Sequence, residues 1–255
     1  MERRLLPREH GAYAQLFFPL LSALLMGKPT VPAIGFGAAA ILLFLANEPV
    51  AILLGVRGAR LKKDLAGVVW RRTYLLTSGG FLLGIAGLAA ASAEGRMLAL
   101  IPLLLCAVLV ALVFTKHLKT LMGEILVAAA FASMHLPVGY ASGLRSASLW
   151  GPVVIWFAVF GTAALCVHAI KSRRHGGDSW ITGAALGISI LSVIAALVAA
   201  FSNREFRYLG WALLLPAAVM LGVNLVRARP HSLKLVGWSL VAANTAALIV
   251  LVGGR

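Results

Sequence analysis

Charged residues are scarce in this chain, and acidic residues are the scarcest. Of the 255 residues, 61% are hydrophobic, 12% are charged and only 8 are Asp or Glu. A soluble domain typically has about twice this charged fraction, so an ordinary soluble globular domain is excluded. The formal net charge of +15 is confined to short segments between apolar runs. This pattern is typical of membrane topology rather than of nucleic-acid binding, and we expect no nucleic acid among the partners.

Cysteine is also nearly absent. Cys106 and Cys166 both lie within apolar runs, where a cysteine usually packs as a small hydrophobic side chain. Their spacing fits neither a zinc finger nor a disulfide framework. The basic N-terminal segment MERRLLPREHGAY has no clear small-residue cleavage site, so we interpret it as leading into a retained first helix rather than as a signal peptide.

Long apolar runs make up most of the sequence. Each is close to the roughly 20 residues that cross the hydrocarbon core of a bilayer, and none alternates in polarity as a barrel strand does. Because a backbone in lipid must satisfy its own hydrogen bonds, the runs predict an all-α, polytopic integral membrane protein with about nine transmembrane helices in a single domain, residues 1–255. The predicted spans are 12–27, 31–54, 73–93, 97–115, 121–142, 148–170, 180–201, 208–226 and 233–252.

Basic residues fall mainly on one side of this predicted topology. Most of the 23 lysines and arginines lie before the first span or in the connections after spans two, four, six and eight. The positive-inside rule places such segments in the cytoplasm. We therefore expect a multi-pass protein of the cell (inner) membrane, with a cytoplasmic N-terminus and the C-terminus outside.

Ionisable residues interrupt four of the predicted spans. His10 stands at the start of the first span, Glu48 in the second, Glu124 and His135 in the fifth, and His168 near the end of the sixth. An ionisable group in the bilayer costs a few kcal/mol and tends to face a cavity or a partner. Since most of these groups share a depth near the cytoplasmic side, they predict a common cavity. The alternative is that each of them simply pairs with a loop arginine.

Asn47, Glu48 and Pro49 form a polar motif inside the second span. Proline removes a backbone donor and frees carbonyl groups in the preceding turn, so these groups and Glu48 are predicted to line one opening. Basic segments, GVRGARLKKD and KSRRHGGD, follow spans two and six. A cationic rim over an apolar interior suits an amphiphile with an anionic head such as a diphosphate. The alternative is that these segments are basic only because cytoplasmic loops of membrane proteins are enriched in Lys and Arg.

Two resemblances accompany these motifs. The nine-span topology and the polar motifs after spans two and six resemble the UbiA superfamily of intramembrane prenyltransferases. The stretches from Pro7 to Pro19 and from Lys116 to Ala132 resemble the YwiC-like family, a group of bacterial membrane proteins related to that superfamily. The resemblance implies a UbiA-like bundle that binds an isoprenoid, a prenyl diphosphate or a quinone-type lipid in a cytoplasm-facing cavity. Glu48 would be the catalytic residue, and the residues implied in substrate binding are His10, Asn47, Glu124, His135, His168, Lys171, Arg173 and Arg174.

The resemblance also raises the question of Mg²⁺. UbiA-type enzymes hold the diphosphate through magnesium, using an Asn-Asp-x-x-Asp-x-x-x-Asp motif after the second helix and an Asp-x-x-x-Asp motif after the sixth. Here Asn47 and Glu48 match the opening pair, but Ala51 and Gly55 replace the later acids, and the second motif retains only Asp178. Magnesium needs several hard oxygen ligands, and Glu48 alone supplies too few. Either the fold is kept without the chemistry, or Arg and Lys replace the metal as the clamp for an anionic head.

Two other classes of function compete with lipid binding. His10, His117, His135 and His168 lie on or beside polar spans, and histidine is a common ligand of metals and haem. A small-solute transporter is the further alternative, since proline breaks polar spans at Pro49 and Pro137 and broken helices are typical of transporters.

Overall fold

The computed structural model describes residues 10–115, 117–173, 179–202 and 204–254. Within these ranges the chain forms ten α-helices and a short 3₁₀ helix at Pro230–Ser232, and it has no strand. The helices are α1 (His10–Met26), α2 (Val31–Leu53), α3 (Ala59–Ala90), α4 (Ala93–Phe114), α5 (Leu121–Ser133), α6 (His135–Ala141), α7 (Ser146–Ser172), α8 (Ser179–Phe201), α9 (Arg204–Leu225) and α10 (Leu233–Gly253).

The prediction of an all-α, multi-pass membrane protein is confirmed. Eight spans in the described residues are long and apolar enough to cross a membrane, α5 and α6 counting together as one, and α1 is a shorter apolar helix. Large apolar side chains cover the outside of the bundle: Phe81 is 61% exposed and Leu104 is 66% exposed. Such a surface is stable only against lipid.

The third span is longer than predicted at its N-terminal end. The basic stretch that follows α2 was expected to be a loop, but the loop ends at Gly58 and α3 already begins at Ala59. Arginine, lysine, leucine and alanine all favour helix, and Leu61 and Leu65 sit at helical spacing against Ile52. The 32 residues of α3 extend over about 48 Å, so its basic first turns project beyond the hydrocarbon core.

The fifth span is divided in two at Met134. Pro137 has no N–H for the carbonyl of Ser133, and α5 ends at Ser133 while α6 begins at His135. The predicted span over 121–142 is confirmed as one apolar crossing, Leu121–Ala141, but it consists of two helices rather than one. The division places His135 at the bend, inside the bundle.

Helix α7 forms the centre of the bundle. It packs against α1, α5, α6, α8 and α9, and Trp156 on it is fully buried. The indole stacks between Phe18, at a ring-centroid distance of 5.4 Å, and Phe160, at 5.6 Å. These contacts fill the middle of the bundle, near the centres of α1 and α7.

Small residues let α2 and α3 approach closely. A Cβ atom on Gly80 would stand 2.8 Å from Leu43 Cγ, and one on Gly84 would stand 3.6 Å from Ala39 Cβ. The GxxxG step from Gly80 to Gly84 is therefore a packing surface. The matching step on α8 is not, because Gly183 and Gly187 have no side-chain neighbour in the described chain.

Candidate functional site

Basic residues collect at one end of the bundle, which we call the basic face. Because successive spans alternate in direction, this is the end where α2, α4, α7 and α9 finish and where α3, α5, α8 and α10 start. The face includes Arg57, Lys62, Lys171, Arg173 and Arg229. Its position relative to the polar side chains of α2, α5 and α7 defines the candidate site.

Glu48 is buried one to two turns inside the basic face. Its carboxylate is only 2% exposed and accepts a hydrogen bond from Arg57 Nη2 at 2.6 Å. The turn after α2 makes this possible, because Gly55 adopts φ +76°, a left-handed conformation that glycine takes without strain. The chain reverses there, and Arg57 reaches back to the carboxylate.

Glu124 forms a second acid–base pair, with His168. Thr120 caps α5 by accepting a hydrogen bond from Gly123 N, which places Glu124 in the first turn, where the helix dipole favours a negative charge. Its Oε2 lies 3.2 Å from His168 Nε2 on α7. This is an ion-pair distance, but the ring is not aligned for a hydrogen bond, and the imidazole nitrogen has no hydrogen-bond partner among the described residues.

An aromatic contact links the helices that carry the two acids. Phe44 on α2 and Phe131 on α5 meet edge to face at 5.8 Å, and Tyr13 on α1 meets Phe44 at 5.1 Å. Glu48 lies one turn from Phe44, and Glu124 lies about two turns from Phe131; in each case the helical repeat leaves the acid within about 40° of the aromatic residue. Both displacements are toward the basic face. Both carboxylates therefore lie on the basic-face side of the Phe44–Phe131 contact, and we call the group of side chains around Glu48 and Glu124 the polar chamber.

Tyr13 and Arg72 complete the polar chamber. Arg72 on α3 and Glu48 both lie close enough to the Tyr13 hydroxyl to act on it electrostatically. Tyr13, Phe44 and Phe131 are only partly buried, in contrast to the tightly packed residues around Trp156. The chamber thus combines acidic, basic and aromatic groups toward the basic face.

His135 belongs to a separate polar network. It is fully buried, and its Nδ1 lies 3.0 Å from Ser22 Oγ and 3.1 Å from the carbonyl of Pro19. The same hydroxyl accepts a hydrogen bond from Trp156 Nε1 at 3.0 Å. Glu124 and His135, which belong to the same predicted span, do not share a continuous helix face, because the bend at Met134 lies between them and His135 is bonded to α1.

The other predicted site residues are placed as follows. Asn47 and Lys171 are exposed. Arg173 donates hydrogen bonds to the carbonyl of Ala228 at 3.3 Å and to Asn224 Oδ1 at 3.5 Å, so its guanidinium is directed to the end of α9. The side chain of His10 and the whole of Arg174 lie outside the described residues, as does Asp178.

The first half of the chain matches a known family. A family model described as YwiC-like protein matches residues 6–139, from before α1 to the middle of α6. This match covers more than half of the chain. The chain belongs to the YwiC-like family. The YwiC-like part holds Glu48, Arg57 and Glu124, whereas His168 and Trp156 lie beyond it. No curated protein and no solved structure matches the chain.

The residues of the polar chamber do not fit magnesium. Glu48 is a single carboxylate, and a guanidinium already neutralises it, whereas Mg²⁺ requires several oxygen ligands in near-octahedral geometry. Gly55, which stands where the metal motif would place its last acid, is instead the left-handed residue that ends α2. In the described residues no group of three or more His, Cys, Asp and Glu side chains is placed to hold a metal ion.

Several residues of the site were not singled out from the sequence. Arg57 was counted only within the basic segment after span two and Arg72 only as a topological charge, while the aromatic side chains of Tyr13, Phe44 and Phe131 were given no role in the site. The available signal was spacing: Phe44 precedes Glu48 by four residues and Phe131 follows Glu124 by seven, both of which repeat on one helix face. The pairing of α2 with α5 through these rings required the three-dimensional arrangement.

Proposed function

We propose that this YwiC-like protein binds an isoprenoid lipid in the polar chamber, with a prenyl diphosphate as the favoured ligand and a quinone-type lipid as the alternative. The observation that carries the proposal is the Phe44–Phe131 contact. It separates a polar space with paired charges from an aromatic and aliphatic interior. A molecule with a charged head and an apolar chain matches both sides of that boundary.

Arg57 and Arg72 are the groups that would bind the head. A guanidinium donates two parallel hydrogen bonds to phosphate oxygens and keeps its charge at any physiological pH. In the absence of ligand, Arg57 is neutralised by Glu48 at 2.6 Å. An arriving diphosphate would compete with this carboxylate for the same donors, so the Glu48 charge weakens anion binding in this scheme.

The chain of the lipid would lie against the rings of Tyr13, Phe44 and Phe131. These three side chains are partly accessible and come from α1, α2 and α5. Aromatic rings offer large apolar surfaces at little cost in conformational entropy. Because the magnesium ligands are missing, we propose binding without metal-dependent transfer, and Glu48 acts by its charge on Arg57 rather than by holding a metal.

Binding of tritiated farnesyl diphosphate to the purified full-length protein tests the proposal. Arg57→Gln should weaken binding about tenfold or more, as expected for the loss of hydrogen bonds to a charged group, and should leave the binding of farnesol unchanged. Phe44→Ala should weaken the binding of both farnesyl diphosphate and farnesol. Glu48→Gln should strengthen diphosphate binding, because it frees Arg57.

The matched control is Lys63→Gln, which removes one exposed cation from the same face. It should change binding less than twofold. If neither farnesyl diphosphate nor a quinone-type lipid binds, or if Lys63→Gln and Arg57→Gln have equal effects, the proposal is wrong. If Glu48→Gln weakens binding, and only in the presence of Mg²⁺, the residue is a metal ligand and the charge scheme is overturned.

A further inference from the structure

A second cavity lies between α9 and α10, apart from the polar chamber. It has a volume of about 520 Å³ and is bordered by the end of α9, the connecting segment and the first two turns of α10. Its polar lining comes from Arg227, Arg229, His231, Ser232 and Ser239. Valines, Ala228 and Leu235 supply the apolar lining.

The two arginines of this cavity carry uncompensated charge. Neither side chain has an ion pair or hydrogen bond within the described part of the chain, and the stretch from Val226 to Ser239 contains no acidic residue. Arg173, by contrast, is already held by the carbonyl of Ala228 and by Asn224. The cavity is therefore a concave, cationic site with free donors.

The backbone at Arg227 supplies a second observation. Arg227 adopts φ +47° and donates its N–H to the carbonyl of Asn224 at 3.1 Å. Glycine is the usual residue where a helix ends in this left-handed conformation, and a side chain there is strained. Strain of this kind is common where a side chain is needed for binding.

The position of the cavity indicates which anion it takes. It opens where α10 starts, at the level of the basic face, and its border contains the strongly exposed apolar residues Val226 (80%) and Leu235 (71%). Trp238, on the same turns, is 66% exposed, and tryptophan favours the headgroup region of a bilayer. Soluble phosphate would gain nothing from such a border, whereas an acyl chain would cover it.

We infer that this cavity binds the headgroup phosphate of an anionic glycerophospholipid. Arg227 and Arg229 contact the phosphate, and the acyl chains run along Val226 and Leu235. The hydroxyls of Ser232 and Ser239 already donate to the carbonyls of Arg229 and Leu235, so the arginines supply the donors. Basic pockets between membrane helices bind such headgroups by the same combination of charge and apolar contact. The inference is independent of the ligand proposed for the polar chamber.

Lipid retention by the full-length protein tests this site. The protein is purified in detergent, mixed with phosphatidylglycerol or phosphatidylcholine, and examined by native mass spectrometry and thermal unfolding. We expect preferential retention of phosphatidylglycerol and a higher melting temperature with it. Each of Arg227→Gln and Arg229→Gln should lower the affinity of the protein for phosphatidylglycerol about fivefold, as expected for one cation near an anionic lipid. The control Arg60→Gln/Lys62→Gln, with two exposed cations of α3 removed, should lower it less than twofold.

Arg227→Gly separates binding from folding. It relieves the left-handed backbone, so the lipid-free protein should melt at the same or a higher temperature while it loses affinity for phosphatidylglycerol. The double variant Arg227→Gln/Arg229→Gln serves as the reference for loss of binding. If Arg227→Gly retains its affinity for phosphatidylglycerol, or if the α3 control loses as much affinity as this double variant, the proposed site is wrong. If inorganic phosphate or glycerol phosphate displaces the lipid at millimolar concentration in the wild type but not in the double variant, the site binds soluble anions and the lipid assignment is overturned.

Discussion

At the scale of single residues, we expect stability to depend strongly on the ion pair of Glu48 and Arg57. Arg57→Gln would leave a carboxylate that is 2% exposed without its partner. We expect a loss of about 1–3 kcal/mol in unfolding free energy, less than for a fully buried pair because the guanidinium is about a third exposed. Thermal or denaturant unfolding of the protein in detergent measures this change in unfolding free energy. The double variant Glu48→Gln/Arg57→Gln should recover most of the loss; a double variant as unstable as Arg57→Gln alone would contradict the role of charge.

Ser22 is the second residue on which several contacts depend. Its hydroxyl lies 3.0 Å from His135 Nδ1 and accepts the hydrogen bond from Trp156 Nε1. Ser22→Ala leaves two buried ring nitrogens without this partner, and we expect a loss of about 1–2 kcal/mol, the range of interhelical hydrogen bonds in membranes. The control is Ser202→Ala, whose exposed hydroxyl bonds only the carbonyl of Ala199. Equal melting temperatures for the two variants would show that the network adds no stability.

Sequence reasoning placed the polar residues at their depth, and its alternative, pairing with a loop arginine, holds for Glu48 but not for Glu124, whose partner is His168. Glu48 and His168 were expected near one end of the bundle because an apolar run has a definite length and direction. That Glu48 pairs with Arg57 and Glu124 with His168 depends on the helical rotation and on the turn at Gly55. Neither can be read from periodicity when almost every position in a span is apolar.

At the scale of helices, glycines decide how closely neighbours pack. Gly210 on α9 faces the backbone of α8, where an added Cβ would collide with Ala200 N and the carbonyl of Ala196. Gly183 on α8 has open space around its Cα. Gly210→Ala should therefore destabilise the protein by about 1–3 kcal/mol, as overpacking usually does. Gly183→Ala should leave it unchanged or stabilise it by up to about 1 kcal/mol, because alanine favours helix. Melting temperatures that rank the two variants in the opposite order would contradict the α8–α9 contact.

Helix ends were harder to predict than helix centres. The nine spans follow from runs of about 20 apolar residues, and each has a counterpart in the helices of the structure. The start of α3 was missed because charge was taken as a sign of a loop, although the apolar spacing of Leu61, Leu65 and Val69 repeats every four residues. Pro137 was named as a breaker of its span, but the exact position of the division, at Met134, was not predicted.

At the scale of the whole molecule, the packing at mid-bundle suits one-sided access. Trp156 stacks there with Phe18 and Phe160, and His135 and Ser22 form a buried polar contact with each other. Toward the basic face, Tyr13, Phe44 and Phe131 are only partly covered. A ligand of the polar chamber would therefore enter from the basic face or sideways from lipid, and it would not pass through the molecule.

The orientation of the bundle gives the last prediction. Since cytoplasmic loops are enriched in lysine and arginine, the basic face should lie in the cytoplasm. The connection between α8 and α9, which contains Ser202, should then lie outside. Ser202→Cys should react with a membrane-impermeant maleimide in intact cells, whereas Ser232→Cys, before α10, should react only after the membrane is permeabilised. Both hydroxyls bond only local carbonyls, so neither change should disturb the fold. If Ser232→Cys were labelled in intact cells and Ser202→Cys were protected, the bundle would have the opposite orientation. The polar chamber would then face away from the cytoplasm.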